Sequence, residues 1–187
     1  MGEAMNLKII SGGQTGADIA GLWAAKLFNI STGGWAPKSF ITTAGNHPEM
    51  AETFNMREHS GNYRDRTITN IKDANLTIIC SQKMSAGTKL TINQCQKLKK
   101  PYYVFWFDPT NINQADEDIF IKMRNYIKNS NMIYEDFTLN IAGNSTKNST
   151  RAFEFTFKLC YRLFTELGYS SSLNSSQWNS YKDKWKL

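Results

Sequence analysis

Cysteine and histidine are scarce in this 187-residue chain. Cys80, Cys95 and Cys160 are odd in number and show no CxxC spacing, which excludes a disulfide framework and a cysteine-rich zinc site. Two histidines, His47 and His59, are too few for a His-rich cluster, so no metal is expected. No run of about 18 apolar residues occurs, which excludes a membrane-spanning helix. The opening MGEAMNLKII lacks a charged segment followed by a long apolar one, so it does not read as a signal peptide. Met1-Gly2 lacks the hydroxyl residue that myristoylation needs downstream. The expectation is a cytoplasmic protein with no membrane partner. Internal repeats are also missing.

What is present fits one soluble domain. The length is close to the ~150 residues of a typical domain and suffices for a core without disulfide or metal staples. Lys and Arg number 22 against 16 Asp and Glu, a net charge of +6. Such an excess suits an anionic partner. It is uneven: residues 57–100 hold 9 positive and 3 negative charges, and 108–136 hold 3 and 6. A basic stretch without an Arg-rich or aromatic-interleaved run is usually a solvated face, so charge alone assigns nothing.

Strand-like and helix-like segments alternate. Leu7 to Ser11 is a short apolar run entering Gly12-Gly13, a buried strand leading to a tight turn. Helical spacing follows from Thr15 to Phe28, then recurs over Tyr63–Ala74, Ala86–Lys99, Gln114–Lys128 and Thr150–Leu167. Asp116, Glu117 and Asp118 open the fourth of these, where the helix dipole favours acids. Phe153, Phe157, Cys160, Phe164 and Leu167 line one face of the last, a core stripe, and Gly168 stops it. Further strands are expected at Ile30–Gly34, Asn75–Ser81, Tyr102–Phe107 and Phe137–Ile141. Strands separated by helices point to a parallel sheet covered on both faces. The expectation is an α/β, three-layer domain over 1–168 with about five strands, in the order 2-1-3-4-5, and a polar tail over 169–187. That tail, with Trp178 and Trp185, is expected either to be loosely packed or to dock on the body or on a second subunit.

In such sheets ligands bind beyond the carboxyl ends of the strands. Three loops there are rich in Gly, Ser and Thr. The first is Gly12, Gly13, Gln14, Thr15 and Gly16, with Asp18 at the helix start. Its glycines allow close backbone approach, and the helix start offers N–H groups to an oxyanion. The plainer reading is a tight turn, with Asp18 complementing the helix dipole. The second loop carries Lys83, Ser85, Gly87 and Thr88, and the third Gly143, Asn144 and Ser145. Trp35 could stack on a planar ring with Lys38 neutralising charge beside it. Tyr63, Arg64 and Arg66 open a helix on which the two arginines diverge, one toward a ligand or partner and one toward solvent. Each could equally form a surface ion pair with Asp65 or Asp73. Glu58 and His59 are acid–base candidates by type alone.

The blocks SGGQTGAD, GGWAPK, NYRDRTITNIKDANLTII, AGTKLTINQCQKLKKPYYVF and LNIAGNSTKNSTRAFEFTF occur in this order over residues 7–167. Together they resemble the putative molybdenum-carrier family, a circularly permuted branch of the SLOG group of Rossmann-like proteins. The resemblance implies a Rossmann-like domain, a homo-oligomer (dimer or tetramer), and a pocket over the Gly-rich loops for a nucleotide or nucleotide-like cofactor. Some relatives cleave the base–ribose bond. Those carry a Gly-Gly-x-Gly-Thr loop followed by a Glu, whereas Ser85-Ala86-Gly87-Thr88 is followed here by Lys89, Leu90 and Thr91. Ile19 stands where the family often has Arg.

The reading is a protein that binds a phosphorylated nucleotide-derived or pterin-type small molecule as carrier, sensor or sequestering protein. Trp35 or Tyr63 would meet the ring, and Lys38, Arg64, Arg66 or Lys83 the charge. The alternative is a nucleotide-processing hydrolase using Asp18, Glu58 or Asp65 as its acid. A third reading, a nucleic-acid module on the 57–100 stretch, would lose affinity steeply with salt; nucleic acid is the less expected partner.

Overall fold

A computed structural model of the chain describes residues 6–130 and 135–171. Trp178 and Trp185 lie outside the described residues. The elements in chain order are β1 (Asn6–Ser11), α1 (Ala17–Leu27), β2 (Ser31–Gly33), β3 (Trp35–Ala36), β4 (Ile41–Thr42), β5 (Gly45–Asn46), α2 (Met50–Thr53), β6 (Arg57–Glu58), α3 (Tyr63–Asp73), β7 (Leu76–Ser81), α4 (Ala86–Lys97), β8 (Tyr102–Trp106), α5 (Glu117–Ser130), β9 (Asp136–Gly143) and α6 (Ala152–Glu166).

Local chemistry sets the helix ends. Asn62 and Asp65 form a reciprocal capping box at the start of α3, satisfying donors that helix geometry leaves free. Ser85 caps α4 through the Thr88 N–H. Asp116 caps α5 at the Ile119 N–H instead of lying inside its first turn. Gly168, at φ 94°, follows the end of α6 in the left-handed region that ends many helices.

Five strands form one parallel sheet in the order β2-β1-β9-β7-β8. In chain order that is 2-1-5-3-4, which corrects the expected 2-1-3-4-5. The last strand, Asp136–Gly143, inserts between β1 and β7 and pairs with both. Its burial suits that place: with Phe137, Leu139, Asn140 and Ile141 buried, it is covered on both faces, as an inner parallel strand must be. Placing β9 and α6 ahead of β1 would convert the order to 3-2-1-4-5, that of a Rossmann sheet, whose switch point lies beside its first strand. The crevice therefore belongs at the end of β9 and not, as expected, at β1 alone.

The two faces of the sheet differ. Phe137, Leu139 and Ile141 join Leu76, Ile78, Phe105 and residues of α1, α5 and α6 in one apolar core. That core includes Phe155, Phe157, Cys160 and Phe164, while Phe153 and Leu167 are only partly buried at its edge. A smaller cluster of Ile19, Leu22, Ala36, Phe40, Met50, Phe54 and Met56 covers the other side of α1. The face toward α3 and α4 carries buried polar groups beside its apolar ones. Asn140 pairs in register with Ile10 on one side and Thr77 on the other, and Asn140, Thr77, Thr91, Gln94 and Asn70 are all buried.

Candidate ligand site

β1 and β9 end side by side, and α3 and α4 stand over that end on the face with the buried polar groups. Between them lies a cleft lined by Gly12, Asp18, Tyr63, Arg66, Thr67, Asn70, Gly87, Thr91, Asn140, Ala142 and Gly143, with about 360 Å³ of unfilled space open to solvent.

Arg66 dominates it. The capping box starts α3 so that position 66 turns inward; Arg66 is 5% exposed, whereas Arg64 is exposed. Its guanidinium stacks 4.1 Å from the centre of the Tyr63 ring, and its Nη1 donates to Asp18 Oδ2 at 3.3 Å. Its Nε is buried without a hydrogen-bond partner. A buried unpaired donor is costly, and one on a cation facing a cleft points to an anion. Gly12 makes the placement possible, because a Cβ there would fall on Nη1.

Asp18 balances that charge. Its carboxylate accepts the N–H groups of Gly12 and Gln14 besides Arg66. Burial pushes the carboxyl above its ordinary value, against the pull of Arg66 and the two amides. Across the cleft, α4 opens at Ser85, and the N–H of Gly87 in its first turn has no partner among the described residues. A helix of 12 residues thus directs its positive end at the space beside Arg66.

The model of the circularly permutated YpsA SLOG family matches residues 9–164. The chain belongs to this family. The permuted strand order of the sheet agrees with that description. A crystal structure of a putative molybdenum carrier protein from Syntrophus aciditrophicus SB is 32% identical, with a TM-score of 0.66 over 83% of this chain and 92% of that one. The E. coli tRNA N6-threonylcarbamoyladenosine dehydratase TcdA is 10% identical with a TM-score of 0.40, over 86% of this chain and 85% of that one, too distant to support an argument. No curated protein matches.

Within this SLOG domain the expected residues divide. Gly12, Asp18, Tyr63, Arg66, Gly87 and Gly143 come together in the cleft. The rest of the first loop ties loops to one another. Gln14 Oε1 accepts the N–H groups of Thr15 and Thr43, each at 2.9 Å. Thr15 Oγ1 meets the hydroxyls of Thr43 and Thr146 at 2.6 and 2.8 Å. Gly13 packs against Met50 and Met56. Gly16, at φ 86°, lies so close to the Asn144 carbonyl that a side chain would strike it. The start of α1 is also occupied: Ala17 N–H donates to Asn144 O and Ile19 N–H to Gln14 O.

Asn144 knits the other two loops. Its Oδ1 accepts from Gln82 and Lys83 N–H, and its Nδ2 donates to Lys83 O and Thr88 Oγ1. Thr88 also meets the hydroxyls of Ser81 and Ser85. Ser145 accepts from Asn148 Nδ2. Trp35 lies outside the cleft: Arg57 covers its ring at 4.3 Å and its Nε1 donates to Asp73. Lys38 is exposed on a short 3-10 turn, and Lys83 is exposed at its side chain. Glu58 accepts the Ser39 N–H, and Asp65 is engaged in the α3 cap. His59 accepts the Gly61 N–H at Nδ1 and bonds Thr69 at Nε2.

Thr67, Asn70, Thr91, Asn140 and Ala142 line the cleft without having been expected there. Asn140 had a signal: a carboxamide in the middle of FTLNIAG interrupts an otherwise apolar strand. Among the described residues no group of three His, Cys, Asp or Glu is placed to hold a metal. No helix of the described residues is long and apolar enough to cross a membrane.

Proposed function

We propose that this protein binds a phosphorylated, nucleotide-derived small molecule in the cleft between α3, α4 and the ends of β1 and β9. The buried Arg66 guanidinium with its unpartnered Nε supports this reading above all. The ligand's anionic group sits between Arg66 and the Gly87 N–H at the head of α4. Its ring meets the outer face of Tyr63, which is 43% exposed and backed by the guanidinium. Asn140 supplies an amide group deeper in the cleft, while Asn70, which also lines it, ties its carboxamide to the Trp35 backbone. A phosphorylated pterin-type cofactor belongs to this ligand class, and the name of the Syntrophus neighbour favours a carrier role.

The hydrolase alternative retains one group in the cleft, Asp18, since Glu58 and Asp65 bond elsewhere. Native mass spectrometry of protein purified without added ligand tests both. A co-purifying phosphorylated nucleotide or pterin, lost in Arg66→Met, is the expected result. Ligand-free protein that degrades nucleotides would overturn the binding role.

A further inference from the structure

Asp18 and Arg66 are the charged side chains lining the cleft, and Tyr63 is the other titratable one. No Lys, His or acid from α4, β7 or β9 faces the pair among the lining residues. Their ion pair is long at 3.3 Å, with side chains 7% and 6% exposed, whereas charge-assisted N–H···O contacts usually fall near 2.8 Å. The carboxylate therefore occupies part of the anion seat of its own protein.

An incoming anion at Arg66 Nε brings a second negative charge against the same guanidinium. Two anions sharing one buried cation cannot both remain ionised without cost. A proton on Asp18 removes that conflict. The neutral carboxyl can still accept the Gln14 N–H at Oδ2, and its other oxygen, once protonated, becomes a hydrogen-bond donor.

We propose that Asp18 takes a proton from solvent when an anionic group seats against Arg66, so that ligand binding is proton-linked. This rests on the reading that Arg66 receives the ligand's anion. Burial already moves the Asp18 carboxyl in the required direction.

Sulfate is the probe, because its charge is constant between about pH 6 and about pH 8, and linkage of one proton changes affinity up to tenfold per pH unit. Calorimetry of the wild-type protein in two buffers of different ionisation enthalpy is expected to count about one proton taken up per sulfate. Affinity should weaken as pH rises. Asp18→Asn should bind with little pH dependence and, near pH 8, about tenfold or more tighter than wild type. Arg66→Met should lose binding. Sulfate bound through Arg66 with flat pH dependence and no proton uptake would overturn the coupling and leave the Arg66 seat standing. A pH dependence that survives in Asp18→Asn would also overturn it. No sulfate binding, or undiminished binding in Arg66→Met, would remove the seat itself. Should Asp18→Asn fail to fold, the wild-type proton count decides alone.

Discussion

The Arg66 guanidinium lies directly against the backbone of Gly12, in the volume a Cβ would take. The two positions are far apart in sequence, and each is intelligible only through the other. Gly12→Ala should push the flexible guanidinium aside at a stability cost of about 1–3 kcal/mol. Denaturant unfolding measures the cost, and native mass spectrometry should find the co-purifying ligand lost. Adding Arg66→Met to Gly12→Ala should then change ligand retention no further.

The buried pair gives an asymmetric prediction. Arg66→Met leaves the Asp18 carboxylate without its cation and should destabilise by about 3–5 kcal/mol near neutral pH. Adding Asp18→Asn should recover part of that loss. For Asp18 the folded carboxyl is raised, so the folded state binds the extra proton. Stability from this group is full below the unfolded value of 3.8 and is lost as pH rises through the folded one. Arg66→Met should therefore regain stability on mild acidification, read as a rising denaturation midpoint. A midpoint that falls in step with wild type would contradict this.

Glu117 and Glu166 behave oppositely. Arg162 holds the Glu117 carboxyl, and Arg124 with Arg162 the Glu166 carboxyl, below the ordinary 4.5. Their contribution is present above that value and lost as pH falls through the lowered ones. Glu117 is exposed and Glu166 half-buried, so salt should screen the first pairing more than the second. Arg162→Leu should narrow the stability difference between neutral and acid pH, with thermal unfolding in low and high salt as the measurement.

Asn144→Ala removes a carboxamide that serves Gln82, Lys83 and Thr88 at once. Two buried or half-buried N–H groups would lose their acceptor, a loss of about 2–3 kcal/mol. Hydrogen exchange should accelerate at Gln82 and Lys83 before it does in β9.

The three thiols should be inert in the native state. Burial pushes Cys80 up to about 12 and Cys95 up to about 11, and raises Cys160 as well. Alkylation followed by mass spectrometry should label none in native buffer and all three in denaturant. Native labelling of Cys80 would show that the core opens more readily than its packing implies.

Elements of this fold were legible in the sequence where local signals sufficed. The apolar run into Gly12-Gly13 marks β1, and helical spacing places α1, α3, α4 and α6 within a few residues of their ends. The divergence of Arg64 and Arg66 follows from helix geometry alone. Gln14 and Thr15 were less readable. Their polar groups suggested a ligand, yet each bonds to Thr43, and Thr15 also to Thr146, 131 residues away. Nothing nearby in sequence announces such a partner. Trp35 likewise offered a stacking face that Arg57 covers.

The sequence by itself determined the class of the protein: alternating strands and helices, Gly-rich loops at strand ends, and the blocks that mark its family. Those are properties of periodicity and backbone freedom, which a chain carries locally. Tertiary structure alone decided that β9 would occupy the centre of the sheet and that Asp18 and Arg66 would meet. Strand order depends on which two-sided apolar strand can be covered on both faces, a competition settled only when all layers assemble. The charge pair depends on a glycine whose missing side chain leaves the space, and that vacancy exists only once α3 stands over the end of β1.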